Sequence, residues 1–364
     1  MKLTFNCPVN SVSFGQVSVA LLREAYNREM GLSLVPIGEK IDLSSQDPPV
    51  NFQKWLDLTV KDFQKSHDAR VHPTFRLWHI NGSIGFLSDK QALLTFYELD
   101  DPTDTELNIL KQQRLVLMSS EYAVDIFKSK GLDNVKYMPL GFDSNNFSPL
   151  DKQYYDDDRI VFTLSGKFEF RKHHEKVLSA WVKKYGNNKK VFLHCALFNP
   201  FLSPQDNNEL VARAMGHKKY FNVVFLPYMS KNSEYNDYIN SGDISIGMSG
   251  GEGWGLPEFQ GLALGKHGVI LDAHAYKGWA NEKNSVLVEP SGKIDCVDNI
   301  FFKKGQEFNQ GQMFDWDEDD FIDACEEAIK RVETDKVNHE GLKLQNEFSY
   351  GKMLDRVWFE LENL

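Results

Sequence analysis

Short apolar runs alternate with amphipathic stretches along the chain, and the pattern restarts once near its middle. Residues 2–6 (KLTFN) predict a first strand. After the loop NSVSFGQ, the spacing predicts a helix from Val17 to Met30. FRLWHI at 75–80 and ALLTFY at 92–97 predict short buried strands that end in polar residues. Helical spacing recurs over Leu107–Gln113 and Ala123–Lys130. NVKYMPLGFDSNNFSP then predicts a strand running into a turn-rich exit marked by Pro139, Gly141 and Pro149. The polar segment 151–159, DKQYYDDDR, reads as an interdomain linker.

The second half repeats the theme. RIVFTLSG predicts a strand closing on Gly166, followed by a helix over His174–Lys184 and the strand KVFLHCAL. NVVFLPY, DISIGM and GVILD (268–272) predict further strands, with the helix SEYNDYINSG between the first two. Residues 317–333 and 350–362 read as closing helices. Strands that alternate with helices predict parallel sheets flanked by helices, here twice over. The expected division is 1–150, 151–345 and a closing helix in 346–364.

Composition narrows the class. The chain has 364 residues, too many for one compact core and suited to two domains. With 41% hydrophobic and 26% charged residues, it is expected to fold and to be soluble. A net charge of -11 argues against binding nucleic acid or anionic membrane through overall charge. The N-terminus lacks a signal-peptide pattern and no long apolar run occurs, so the expected compartment is the cytoplasm. Cys7, Cys195, Cys296 and Cys325 have no paired spacing and read as reduced, mostly buried thiols.

The chemistry concentrates in Ser249–Gly265, SGGEGWGLPEFQGLALG. Glycines stand at 250, 251, 253 and 255, after a predicted buried strand. Pro257 suits the first turn of a helix. A glycine-rich loop between a strand end and a helix start lets backbone N–H groups approach an anion. Glu252 sits inside that loop, where a phosphate would repel it. Two readings follow: it accepts hydrogen bonds from sugar hydroxyls, or it caps the helix.

The segment resembles the E-x7-E signature of glycosyltransferase family 4 and its GT-B relatives. Glu252, Gly253, Trp254, Gly255, Leu256 and Pro257 match, as do Ala263 and Gly265. The second glutamate of the signature is replaced by Gln260, and Glu258 falls two residues early, about 200° away on a helix. The resemblance implies an α/β protein of GT-B type, with two Rossmann-like domains facing a cleft and a C-terminal helix crossing back. It implies that Glu252 contacts a donor sugar and that Gln260 holds the nucleotide's ribose, without the charge-assisted bond a glutamate would make. Gly251, Gly253, Trp254, Gly255 and Leu256 would lie along the donor.

Other segments extend the resemblance. GKFEFRK, 166–172, is similar to the family's G-R-x-x-x-x-K element, with Lys172 on the family lysine and Lys167 in place of the arginine. These cations would grip the donor diphosphate, and Arg171 would either assist or point to solvent. NVVFLPYM places Tyr228 among candidates for the donor's base. Gly15 resembles the N-terminal glycine loop that faces the donor phosphate, and a plain turn glycine is its rival reading. VKYMPLGFDSNNFSP resembles the family's interdomain linker. His79, Asn81, Tyr97 and Glu98 end two strands that should face the cleft on the acceptor side; the family often has a histidine where Tyr97 stands. Asp156, Asp157 and Asp158 contain a D-x-D pattern but precede a strand, so they read as a solvated run and no metal is expected.

The resemblance therefore implies a retaining glycosyltransferase without a required cofactor, using a UDP- or GDP-sugar. The overall pattern looks closest to family 4-like transferases encoded by tailed bacteriophages, which would act in the host cytoplasm. The expected acceptor is a saccharide or glycoconjugate. A hydroxymethylated base in phage DNA ranks second because of the acidic charge. The rival readings of another class are a sugar-binding protein that has lost catalysis and a GT-B epimerase or phosphorylase. Oligomeric state is not legible in the sequence.

Overall fold

The structure, a computed structural model, describes residues 2–65 and 71–364. Its first sheet contains β1 (Leu3–Pro8), β2 (Leu32–Ile37), β3 (Thr74–Leu77), β4 (Gln91–Thr95), β5 (Leu115–Met118) and β6 (Val135–Tyr137). The strand order is β2-β1-β3-β4-β5-β6 and every pairing is parallel. Helices α1 (Ser13–Asn27), α2 (Phe52–Lys65), α3 (Asp104–Lys111) and α4 (Glu121–Ser129) lie in the connections. β1, β4 and β5 are buried at every residue, so they carry apolar runs rather than alternation. Local signals agree where helices start: Thr103 and Glu106 form a capping box on α3, and Ser120 caps α4.

The second sheet contains β7 (Ile160–Gly166), β8 (Val191–Leu197), β9 (Val223–Phe225), β10 (Ile244–Gly247), β11 (His267–Leu271) and β12 (Val286–Val288). Its order is β12-β11-β10-β7-β8-β9, again parallel throughout. Around it lie α5 (His174–Tyr185), α6 (Pro204–Ala214), α7 (Asn232–Asn240), α8 (Leu256–Ala263) and α9 (Glu318–Thr334). The short helices α10 (His339–Leu342) and α11 (Leu344–Glu347) lead into α12 (Tyr350–Glu362). Among the described residues no helix is long and apolar enough to cross a membrane. All four cysteines are buried and unpaired.

Each sheet reverses its winding direction once. The reversal falls between β1 and β3 in the first sheet and between β7 and β10 in the second. Ligand crevices in open α/β sheets form outside the carboxyl ends of the strands at such points. The GKFEFRK segment leaves β7 and the glycine-rich segment leaves β10, so the topology alone brings them together.

Several elements depart from the sequence expectation. α1 begins at Ser13, four residues before the predicted start, because Phe14 is buried and belongs to the helix's inner face. Gly15 therefore lies inside the first turn of α1 and not in a loop before it. The backbone and side chain of Asn10 press against it, so glycine is needed there for close approach. β2 carries Pro36 and forms a sheet edge, where a missing N–H is tolerated. α2 buries only Phe52, Leu56 and Thr59, a stripe too narrow to stand out.

A second unforeseen element is the antiparallel hairpin β13 (Pro290–Asp295) and β14 (Gln312–Trp316). It touches both halves of the chain. Asp100 accepts from the Gln312 N–H at 2.7 Å and pairs with Lys293 at 2.7 Å. Glu106 accepts from the Asn309 N–H at 3.1 Å. Leu99 packs with Cys296, Phe302 and Met313 in a small separate core. On the other side, the Phe314 N–H donates to Gly250 at 2.8 Å, inside the glycine-rich segment.

The segment after β6 is tied to the chain's last helix. Gly141 lies against the backbone of Ser349 and Tyr350, and the Phe142 N–H donates to Phe348 at 2.7 Å. α12 then packs on α1, where Arg28 pairs with Asp355 and donates to the Gly351 carbonyl at 3.0 Å. Beneath this contact Arg23 pairs with Asp143 at 2.7 Å, and both are buried.

Candidate active site

The chain leaves β7 at Gly166, which has φ 131, and turns through a short 3-10 helix at Phe170–Lys172. His173, in the left-handed region at φ 54, starts α5. This sharp reversal turns Arg171 and Lys172 inward. Both are buried, at 3% and 9% exposure. Lys172 forms an ion pair with Glu252. Arg171 donates to the Gly251 carbonyl and pairs with Glu169 at 2.6 Å, Glu98 at 3.0 Å and Glu252 at 3.4 Å. Lys167 pairs with Glu169 at 2.7 Å. Three predicted cations thus meet Glu98, Glu169 and Glu252, and the last two residues are buried.

The cluster sets its own protonation states. Burial would raise the Glu252 pKa, but the Lys172 ammonium and the Arg171 guanidinium hold it far below the usual carboxylate range. Burial would depress Lys172, and Glu252 with Glu258 overcomes that and raises it. Glu98 is pushed up by burial, with Arg171 opposing. His274 is pushed down to about 4 and His174 to about 3, chiefly by burial, so both are neutral at pH 7.

The glycines of the 249–255 loop have a role the sequence did not show. A side chain at Gly251 would collide with the Glu98 carbonyl, and one at Gly253 with Phe96. They admit the first half of the chain to van der Waals contact with the loop. Ser119 seals this contact by donating to the Gly253 carbonyl at 2.5 Å. Gly255 has φ 85 and caps α8, with Tyr276 against it. Among the described residues, the N–H groups from Gly251 to Gly255 donate to no protein acceptor. They remain available to an anion at the start of α8.

Gln260 and Leu256 are partly exposed and lie one turn apart on the same face of α8. Glu258 occupies another face, as the 200° spacing requires, yet it does not face solvent. It is 4% exposed, lies against Gly247 and reaches beneath the loop toward Gly255. Among the described residues no well-formed hydrogen bond reaches its Oε2, the Tyr276 hydroxyl, His174 Nδ1 or His274 Nδ1, although the Tyr276 hydroxyl lies close enough to Glu258 to ease its ionisation. Buried polar atoms of this kind are rare in native proteins. Here four of them belong to residues within electrostatic reach of Glu252.

Two assignments need correction. Trp254, expected along the donor, is a core residue: its ring packs edge-on against Phe259 and Phe348, and it is 3% exposed. An indole is too large for a loop already pressed by Phe96, so it folds inward. Tyr97, expected on the acceptor side, is buried at 4% exposure against Phe127 at 4.7 Å. It follows β4 directly, and period-two alternation sends it to the helix-covered face while Phe96 points to the cleft.

The remaining candidates stay at the cleft. His79 follows β3, stacks on Phe14 at 4.3 Å and is open to solvent. Burial of the ring against its neighbours, and then the Lys167 charge, lower its pKa. Asn81 is exposed nearby. Tyr228 is exposed after β9, against Phe198 at 5.4 Å. Sequence reasoning missed Glu169, His274 and Tyr276, and set Glu258 aside as facing away from Gln260. Glu169 and Glu258 were visible as carboxylates beside cations or inside the motif, but their inward direction depends on the 3-10 turn and on α8.

Glu258 yields a pH prediction. Burial pushes its pKa up to about 7, with Lys172 opposing and Glu252 adding. The folded state then holds a proton that the unfolded chain has released, so stability falls as pH rises from the unfolded carboxylate range through about 7. Glu258→Gln is expected to raise Tm by about 3–8 °C at pH 8 and by much less at pH 5. Thermal scans at both pH values check this, and an equal shift at both would contradict it.

No protein-family model matches the chain, and no curated protein matches it in sequence. Solved structures match it in shape over its full length. It is similar to sucrose-phosphate synthase from Thermosynechococcus elongatus at 15% identity and a TM-score of 0.65, covering 98% of that chain. It is similar to Anabaena HepE in complex with UDP-glucose at 14% identity and 0.63, covering all of that chain. It is similar to the catalytic domain of starch synthase IV from Arabidopsis thaliana, bound to ADP and acarbose, at 9% identity and 0.67, covering 98%. At these identities the likeness defines the fold: the chain has the GT-B fold.

Proposed function

We propose that the protein is a retaining glycosyltransferase that moves a sugar from a nucleoside-diphosphate sugar to a hydroxyl of a saccharide or glycoconjugate. The observation that carries this reading is the buried Lys172–Glu252 pair beneath a loop of unengaged N–H groups, with buried polar atoms nearby that no well-formed hydrogen bond reaches among the described residues. Such a chamber matches a polyhydroxylated ring attached to a diphosphate. HepE with UDP-glucose and starch synthase IV with ADP share the fold, which supports a nucleotide-sugar donor.

In this reading residues 151–345 hold the donor and 1–150 hold the acceptor, with 346–364 crossing back between them. The diphosphate rests on Lys167, Lys172 and the 251–255 N–H groups, assisted by Arg171. Glu252 accepts from the sugar's hydroxyls, and Gln260 faces the ribose. His79, Asn81 and Glu98 line the acceptor side. The acceptor oxygen attacks the anomeric carbon on the face the diphosphate leaves, and the anomeric carbon–oxygen bond breaks. The hydroxyl proton passes to the departing phosphate oxygen. Cations and N–H groups stabilise the charge that develops there. No metal is assigned to this step.

A panel of UDP-, GDP- and ADP-sugars in thermal-shift assays tests the reading, since a bound ligand raises stability by mass action. One nucleotide family is expected to raise Tm by several degrees, and Glu252→Gln is expected to cost more in rate than Glu258→Gln. No shift with any donor would sink the assignment. The reverse ranking of the two glutamates would move the sugar contact to Glu258.

A further inference from the structure

Two loops at the carboxyl edge of the second sheet are built to present aromatic rings. After β8, Asn199 is 1% exposed; it donates to the Phe168 carbonyl at 3.0 Å and accepts from the Phe201 N–H at 3.1 Å. Asn207, also buried, accepts from the Asn199 N–H at 2.8 Å and donates to the carbonyls of Asn199, Leu202 and Ser203. Phe201, held by this lattice, is 68% exposed. Between β13 and β14, one oxygen of Asp298 accepts from the N–H groups of Ile300, Phe301 and Phe302, each at 2.8 Å. Phe302 turns into the small core with Leu99, and Phe301 is half-buried, with part of its ring packed against that core.

The exposed Phe201 ring meets the half-buried Phe301 ring. Phe201 and Phe301 stand edge to face, 5.3 Å apart at 72°. The Lys167 ammonium lies 4.1 Å from the Phe301 centroid and 5.5 Å from that of Phe201. Scattered exposed hydrophobics need no explanation, but two rings fixed in contact at a cleft mark a binding surface. Ordering both loops costs backbone entropy that an exposed phenylalanine does not return.

We propose that Phe201 and Phe301 form a stacking subsite for a pyranose ring of the acceptor, next to the reacting position. This rests on the transferase reading above. The C–H face of a pyranose is apolar and can lie on an aromatic ring while its equatorial hydroxyls stay in water. Position favours the acceptor over the donor's base. Phe301 belongs to the loop that grips the first half of the chain through Glu106 and Thr103, and the Lys167 charge beside it reaches His79. Tyr228, the base candidate, packs against Phe198 at 5.4 Å, three residues before Phe201, so a base there and the proposed pyranose would be neighbours, while Gln260 lies on α8.

The test uses the full chain on a glycan microarray in saturating UDP, with UDP affinity measured separately by calorimetry. The wild type is expected to capture a subset of saccharides. Phe201→Ala and Phe301→Ala are each expected to weaken that capture about tenfold or more while UDP affinity is unchanged, and Phe201→Trp to retain it. Undiminished capture by both alanine variants overturns the proposal, as does a wild type that binds UDP and no glycan. Loss of UDP affinity with glycan capture intact would make the rings a base-stacking site instead. Glycan capture that needs the rings, with no nucleotide bound at all, would overturn the transferase reading and leave the saccharide subsite standing.

Discussion

Lys172→Ala is expected to lower turnover by about 10²–10³-fold on the true donor and acceptor, with a smaller effect on donor KM. Lys172 is 9% exposed, and among the described residues its ammonium has Glu252 as its only direct ionic partner. Charge that moves onto a leaving diphosphate there is poorly screened by water, so one fixed cation has a large effect on the barrier. Arg171 cannot replace it, because Glu169, Glu98 and the Gly251 carbonyl already hold its guanidinium. The variant also leaves Glu252 with Arg171 alone, at 3.4 Å. Single-turnover rates at saturating donor separate the chemical step from binding. Near-normal turnover would remove the diphosphate from the 166–172 loop and end the proposed assignment of Lys167 and Lys172.

The fold was largely legible, for a reason visible in particular elements. β1, β7, β8, β10 and β11 are internal parallel strands, and internal parallel strands must be apolar on both faces. Edges and narrow contacts were not legible. β2 carries a proline that its edge position permits, and α2 buries too little to mark its period. The hairpin of β13 and β14 buries few of its own residues, Met313 and Trp316 among them, and is held as much by polar bonds through Asp100, Lys293 and Glu106 as by its small core, so no long apolar alternation marks it.

The site was legible as a segment but not as a geometry. Glycines 251 and 253 looked like the requirement of a bound phosphate. Their missing side chains instead make room for Glu98 and Phe96, and the anion-binding capacity lies in the N–H groups that the same conformation leaves free. Glu258 shows the limit of helical-wheel reasoning. The spacing placed it away from Gln260, and only the tertiary fold shows that this direction leads under Lys172. Carboxylates from three separate segments neutralise or crowd the cations, so the diphosphate must compete with Glu98, Glu169 and Glu252 for them. Glu98 is the one that can yield, since its side chain is 32% exposed and it belongs to the opposite wall of the cleft.

Asp143→Ala is expected to destabilise the protein by about 3–5 kcal/mol. Arg23 is completely buried in α1, and the two terminal nitrogens of its guanidinium are held by Asp143 at 2.7 Å and Gln46 at 2.6 Å. Asn146 closes the ring by donating to Asp143 at 2.6 Å and to Gln46 at 2.7 Å. Removing the carboxylate leaves a cation with no counter-charge in a place water does not reach, and that costs more than the pair itself contributes. The loss should also spread. Asp143 lies in the connection from β6 to β7, and Phe142 beside it is bonded to Phe348 at the approach to α12. Hydrogen exchange at the start of α12 should therefore accelerate in the variant, while the α5 amides stay protected. Replacing both partners, as Arg23→Met with Asp143→Leu, should recover most of the stability, because no buried charge then remains. Urea titrations of the three chains decide the matter. A loss below about 1 kcal/mol for Asp143→Ala would mean that Arg23 finds water when its partner goes, and that the connection is looser than the ring of bonds implies.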